Sequence, residues 1–106
     1  MIEYEKFHFN TENRQSGKYL AILHPEYEEF GASGKRWKKA DLPQADLDSS
    51  VYEIENYVCI PLSDSARLSK YILLNRTSGV RTNRSSVWVI YRDDWKMIFH
   101  QGTQID

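Results

Sequence analysis

Residues Arg84 to Thr103 read R-S-S-V-W-V-I-Y-R-D-D-W-K-M-I-F-H-Q-G-T, and no other stretch constrains the fold as strongly. Ser85 to Tyr91 is a run of β-branched and aromatic residues. Trp95 to Phe99 is a second run, and only Arg92-Asp93-Asp94 separates the two. Two such runs around so short a polar break read as an antiparallel β-hairpin. Strand alternation puts Ser85, Val87, Val89 and Tyr91 on one face and Ser86, Trp88 and Ile90 on the other. Few charges on either face predict cover on both sides, at the centre of a sheet. In an antiparallel pair the entry and the exit are neighbours. Arg84, the two serines, His100, Gln101 and Thr103 therefore gather at one end of a largely apolar hairpin, which is the composition of a pocket mouth.

The rest of the composition bounds what this hairpin can belong to. A chain of 106 residues suits a single domain spanning residues 1–106. At this length roughly 65% of the unfolded surface is buried on folding, enough for one core without staples. Aromatic residues are 13%, so the core or a pocket is rich in rings. Charged residues are 27% and the net charge is -1, a balance that argues against nucleic acid or an anionic membrane as the main partner. No apolar run approaches the ~20 residues of a membrane span. The opening M-I-E-Y-E-K has neither the basic flank nor the apolar stretch of a signal peptide. The single cysteine, Cys59, sits in the apolar run Tyr57 to Ile60. It reads as a buried free thiol in a reducing compartment, so the expected location is cytoplasmic.

Along the chain, Ile2 to Phe9 predicts a short helix. Asn10 to Ser16 is polar and reads as a turn or helix end. Ser16 can cap a second helix over Gly17 to Leu23, which His24-Pro25 would end. Glu26 to Phe30 and Lys35 to Trp37 read as short extended pieces around Gly31-Ala32-Ser33-Gly34, a second hairpin. That break is too short for a phosphate loop, and no GK[ST] follows it. Lys38 to Ala45 suits a short helix interrupted by Pro43, and Asp46 to Ser50 a polar link. Val51 to Ile60 and Ala66 to Thr77 read as strands around a turn at Pro61 to Ser65. The apolar centre of the later strand, Tyr71 to Leu74, again predicts cover on both faces. Short helices followed by about four long antiparallel strands make an α+β domain.

Three segments carry a resemblance over nearly the whole chain: Glu29-Phe30-Gly31-Ala32-Ser33-Gly34-Lys35, Arg84-Ser85-Ser86-Val87-Trp88, and Trp95 through Thr103. The order of elements is similar to the nuclear transport factor 2-like superfamily. The E-F-G-A-S-G and F-H-Q-G-T segments resemble its SnoaL-like branch, domain of unknown function 4440. The resemblance implies a cone in which a curved antiparallel sheet packs with short N-terminal helices around a pocket. It also implies a homodimer paired through the outer face of the sheet. The superfamily contains isomerases, cyclases, dehydratases and non-catalytic binders. No aspartate here matches the isomerase base.

The candidate residues follow from chemistry. His100 can act as an acid or base near neutral pH. Its face depends on strand regularity: a regular strand puts it with Ile98 and Lys96, while a bulge near Gln101-Gly102 would change that. Arg84 can clamp a carboxylate or phosphate, or pair with Glu28 or Glu29. Glu29 can serve as a base if burial raises its pKa. Trp37, Trp88 and Trp95 suit the core, and one can also floor a pocket. The expected pocket lining is Phe30, Arg84, Trp88, His100 and Gln101. His8, His24 and His100 lack metal-ligand spacing, so neither a metal nor a cofactor is expected. Ser85 and Ser86 precede a strand without a nucleophile elbow. Lys35, Arg36, Lys38 and Lys39 read as solvated surface. Three functions fit: a small-molecule binder without assigned chemistry, a small enzyme using His100 or Glu29 as acid–base group, or a dimerising interaction module.

Overall fold

The structure is a computed structural model describing residues 1–46 and 48–105. Its organising pair is β5 (Arg81–Tyr91) and β6 (Asp94–Gln104). They close through a two-residue turn in which Arg92 (φ 51) and Asp93 (φ 69) are both left-handed. Two left-handed central residues match the right-handed twist of paired strands, which makes this a tight hairpin. Around it lie β1 (Leu23–Phe30), β2 (Arg36–Lys38), β3 (Tyr52–Ser63) and β4 (Ala66–Asn75). The order across the six-stranded sheet is β2-β1-β6-β5-β4-β3, so the predicted hairpin does occupy the centre. All neighbours are antiparallel except β1 and β6, which run parallel. A long-range parallel pair has no local turn signature, so the sequence pattern did not show it.

The cover differs from expectation. On β5, Thr82, Ser86 and Trp88 are buried, whereas Ser85, Val87 and Val89 on the opposite face are half-buried. β4 repeats this, with Ser69, Tyr71 and Leu73 buried and Ile72 and Leu74 half-buried. Helices cover one face, and among the described residues no second layer covers the other.

The covering layer begins with α1 (Ile2–Phe9), the predicted first helix. The second helix lies earlier than expected. Asn10 Oδ1 accepts from the Asn13 amide at 3.0 Å and caps α2 (Thr11–Ser16). Gly17 (φ 82) ends it, and a Cβ there would collide with the Gln44 carbonyl. The apolar stretch expected to be helical becomes a 3-10 turn, Lys18–Ile22, and His24-Pro25 falls inside β1. The expected helix at Lys38 to Ala45 is only a 3-10 turn, Lys39–Asp41, before Pro43. Pro61 and Leu62 extend β3, leaving Asp64 and Ser65 as the turn. Leu47, in the expected polar link, lies outside the described residues. Between helices and sheet sit two apolar clusters: Leu23, Tyr27, Trp88 and Met97, and then Phe9, Tyr71 and Leu73.

Candidate functional site

The face occupied by His100 is decided by a bulge. Trp88 pairs with Met97 and Val87 with Phe99, so Ile98 is an extra residue in β6. The inserted residue resets the alternation. Met97 and His100 therefore share the helix-covered face, and His100 stands opposite Ser86. The bulge falls three residues before Gln101-Gly102, the position at which the sequence allows for one. His100 is 1% exposed, with its ring 5.6 Å from that of His8 and 5.6 Å from that of Phe9.

A charged side chain that the sequence reading passed over lies beneath the histidines. Glu5, on α1, is fully buried. Its carboxylate accepts from Tyr71 Oη at 2.7 Å, Ser86 Oγ at 3.1 Å and Trp88 Nε1 at 2.6 Å. Burial raises its pKa above the usual value, opposed by these donors. The signal was available: His8 and Phe9 follow Glu5 by three and four residues, so the acid lies on the inward stripe of the helix.

The network fixes its own protons. Arg84 Nη1 lies 3.4 Å from His100 Nε2. A guanidinium only donates, so Nε2 accepts and the imidazole proton resides on Nδ1. Nδ1 lies 2.7 Å from Ser86 Oγ, to which it donates, and Ser86 passes its own proton toward Glu5 Oε1. Both ring nitrogens of His100 are thus engaged. Burial, reinforced by Arg84 and Arg14, holds its pKa well below the usual value. His8 is held down by the same causes, burial first and then Arg14, His100 and Arg84.

Arg84 forms the exit of this network. It donates through Nε to Thr82 Oγ1 at 2.8 Å. Its guanidinium lies across Gly102, where a Cβ would stand 2.5 Å from Nη1 and 2.6 Å from Cζ. Among the described residues no carboxylate forms an ion pair with it. Burial lowers its pKa. Arg84 lines a cleft of about 270 Å³ together with Tyr52, Leu73, Thr82, Gln104 and Ala32. The Phe9 ring centroid lies 5.7 Å from the Arg84 guanidinium and 5.9 Å from that of Arg14, which is paired with Asp46 at 2.9 Å. Glu29, beside His100 on β1, is half-buried and makes no side-chain hydrogen bond among the described residues. Burial raises its pKa, opposed by Arg14 and Arg84. Of the two acid–base candidates, Glu29 has the free carboxylate.

The structure brings Arg84, Trp88, His100 and Glu29 to one face and puts Phe30 and Gln101 on the other, although Gln101 still meets Arg84 in the lining of a cleft of about 420 Å³ at the strand edge. Phe30 pairs with Gln101 across β1 and β6, and its ring packs edge-on against Phe99 at 5.1 Å on the open face. Gln101 Nε2 donates to Ser85 Oγ at 2.8 Å on that face, where Thr103 also bonds to Gln101. Neither lines the interior, because the bulge that turns His100 inward turns Gln101 outward. Cys59 is exposed rather than buried, since β3 is an edge strand. Trp88 does lie in the core, at 0% exposure. Among the described residues no group of three His, Cys, Asp or Glu side chains is placed to hold a metal ion. No helix of the described residues is long and apolar enough to cross a membrane.

No protein-family model matches the chain, and no curated protein matches it. Solved structures do share its architecture. An NTF2-like protein from Cytophaga hutchinsonii superimposes with a TM-score of 0.76 at 15% identity, over 98% of this chain and 94% of that one. An uncharacterised protein with a cystatin-like fold from Caulobacter vibrioides gives 0.77 at 11% identity, over 99% and 87%. The association domain of C. elegans CaMKII gives 0.72 at 12% identity, over 97% and 92%. With short N-terminal helices laid on one face of a curved, mostly antiparallel sheet, the chain has the nuclear transport factor 2-like fold.

Proposed function

We propose that the chain binds a small anionic molecule at the mouth of the cone, with Arg84 as the clamp and no assigned reaction. One observation carries this reading. The guanidinium of Arg84 is largely buried and lines an open cleft; among the described residues it is bonded only to the neutral Thr82 and His100, with the Phe9 ring centroid 5.7 Å away. A buried cation without a counter-ion is costly, and a carboxylate or phosphate oxygen supplies the missing partner. Tyr52 and Leu73 give the cleft apolar walls. The SnoaL-like branch is part of the same reading, supported by F-H-Q-G-T, because Gly102 of that segment is what lets Arg84 lie flat. The lone thiol Cys59 supports a reducing, cytoplasmic location.

A thermal-shift screen of the wild type and Arg84→Gln against a panel of anionic metabolites tests the clamp. A ligand at ~100 times its dissociation constant adds about 2.7 kcal/mol, a rise of roughly 10 °C or more for a domain this size. The expected result is a hit that Arg84→Gln loses. A hit retained by that variant would discard Arg84 as the clamp.

A second reading concerns the open sheet face and is compatible with the first. Ile60, Leu68, Val87 and Phe99 form an apolar row across β3, β4, β5 and β6. All four are only half-buried. The similarity to the CaMKII association domain supports self-assembly, and this apolar row is the surface we assign to it. Light scattering at micromolar concentration tests it, with a dimer expected and a monomer counting against it.

A further inference from the structure

The charges at the mouth balance in sum but are not all joined in pairs, and their arrangement points to the ligand. Arg14 is matched by Asp46, through bonds of 3.0 and 2.9 Å to one carboxylate oxygen. Arg84 and Glu29 are left. Both flank His100: Arg84 reaches its Nε2, and Glu29 is its neighbour across the β1–β6 ladder. Yet no ion pair joins Arg84 to Glu29 among the described residues, and neither has another charged partner. Two neutral polar atoms nearby are also open. His8 Nδ1 and the Tyr27 hydroxyl are buried without a hydrogen-bond partner among the described residues. Tyr27 precedes Glu29 by two residues on the same face of β1, and the His8 ring faces that of His100 at 5.6 Å. Buried polar groups are nearly always bonded, so these open valences call for a polar partner. A simple carboxylate would satisfy Arg84 alone and would meet the negative charge of Glu29.

We propose that the ligand is zwitterionic, of the amino acid type, with its carboxylate on Arg84 and its ammonium group on Glu29. This rests on the anion-clamp reading above and adds the second charge. An ammonium carries three N–H donors. Glu29 takes one, and the Tyr27 oxygen and His8 Nδ1, both without a partner among the described residues, can take the others. Burial keeps the His8 ring neutral and therefore able to accept. The two charges of such a ligand neutralise both orphaned side chains at once, which neither a plain anion nor a plain cation does.

Isothermal titration of the full chain with straight-chain amino acids of increasing length tests the idea. Each is compared with the carboxylic acid lacking its amine and with the amine lacking its carboxylate. One amino acid should bind at least about tenfold more tightly than either matched compound. Glu29→Gln, which keeps the size and removes the charge, should erase that advantage while leaving carboxylate binding in place. Glu29→Asp keeps the charge and should retain the preference, with the urea midpoint of each variant reporting its fold. Carboxylates binding as tightly as amino acids, with Glu29→Gln silent, would overturn the zwitterion and leave the clamp standing. Amines binding through Glu29 with no requirement for the carboxylate or for Arg84 would overturn both.

Discussion

At the residue scale, Gly102 and Arg84 are one structural unit. The glycine answers to space, because the guanidinium occupies the volume a side chain would need. Gly102→Ala should lift Arg84 off the sheet, break its contact with His100 and cost about 1–3 kcal/mol of stability. Urea unfolding checks the cost, and loss of the anion-dependent thermal shift checks the displacement. A variant with both properties intact would mean that the guanidinium rests elsewhere. The two buried histidines set a second expectation. His8 and His100 are neutral in the fold, but in the unfolded chain they take up protons near pH 6.5. Below that pH the unfolded chain binds more protons, so the stability they lend is complete above it and is lost as pH falls toward their folded pKa values. Two such groups give a slope approaching about 2.7 kcal/mol per pH unit. Glu5 and Glu29 work in the opposite sense. Their raised pKa values lend stability that is present below the usual carboxyl value of 4.5 and lost as pH rises through their folded values, so they blunt the acid limb. Urea midpoints taken from about pH 7.5 down to about pH 5 should show the decline. His8→Gln should cut the slope by about half, and a flat profile would contradict the buried neutral pair.

At the scale of elements, the β5–β6 turn holds strain that its sequence does not relieve. Arg92 and Asp93 both sit in the left-handed region, where only glycine is free of steric cost. Asp93→Gly should add about 0.5–1 kcal/mol, raising the melting temperature by a few degrees. An unchanged or lowered temperature would show that Asp93 has a compensating partner. The same hairpin shows what could be read from sequence. Its runs, its short break, its central position and the burial of Trp88 follow from β-propensity and alternation, which act locally. Arg84 and His100 were correctly brought together, because ladder geometry makes the two ends neighbours. Phe30 and Gln101, expected in the same lining as His100, stand on the opposite face of the sheet, and which face each β6 residue takes depends on the bulge, a property of pairing. Nothing in Lys96-Met97-Ile98-Phe99 marks Ile98 as the residue opposite no partner. The early helix was misplaced for a related reason. Asn10 and Gly17 cap a six-residue helix whose members are all polar, so hydrophobic periodicity was silent there. Glu5 was overlooked because a buried carboxylate is worth considering only once its three donors, which come from β4 and β5, are known to surround it.

At the scale of the whole molecule, the two faces of the sheet differ in kind. The helix-covered face holds the aromatic clusters and the buried polar network. The open face presents the apolar row Ile60, Leu68, Val87 and Phe99 beside a polar row of Lys70, Ser85 and Gln101. At one end Arg81 pairs with Glu55 at 2.9 Å and Arg76 with Glu53 at 2.7 Å, which leaves this margin charged but neutralised. An apolar centre with a charged margin is the anatomy of an interface. A stable contact takes about 800 Å² from each partner, roughly an eighth of the 6429 Å² surface of the chain. Val87 stands near the middle of the apolar row, with its backbone held by neighbours on both sides. Val87→Glu puts a charge there without touching the helix-covered face. If the sheet pairs two copies, the wild type should scatter as a dimer and Val87→Glu as a folded monomer, with the anion-dependent thermal shift unchanged. A wild type that is monomeric at micromolar concentration would remove the assembly reading. A variant that loses dimer and ligand together would mean that the mouth of the cone depends on the second copy.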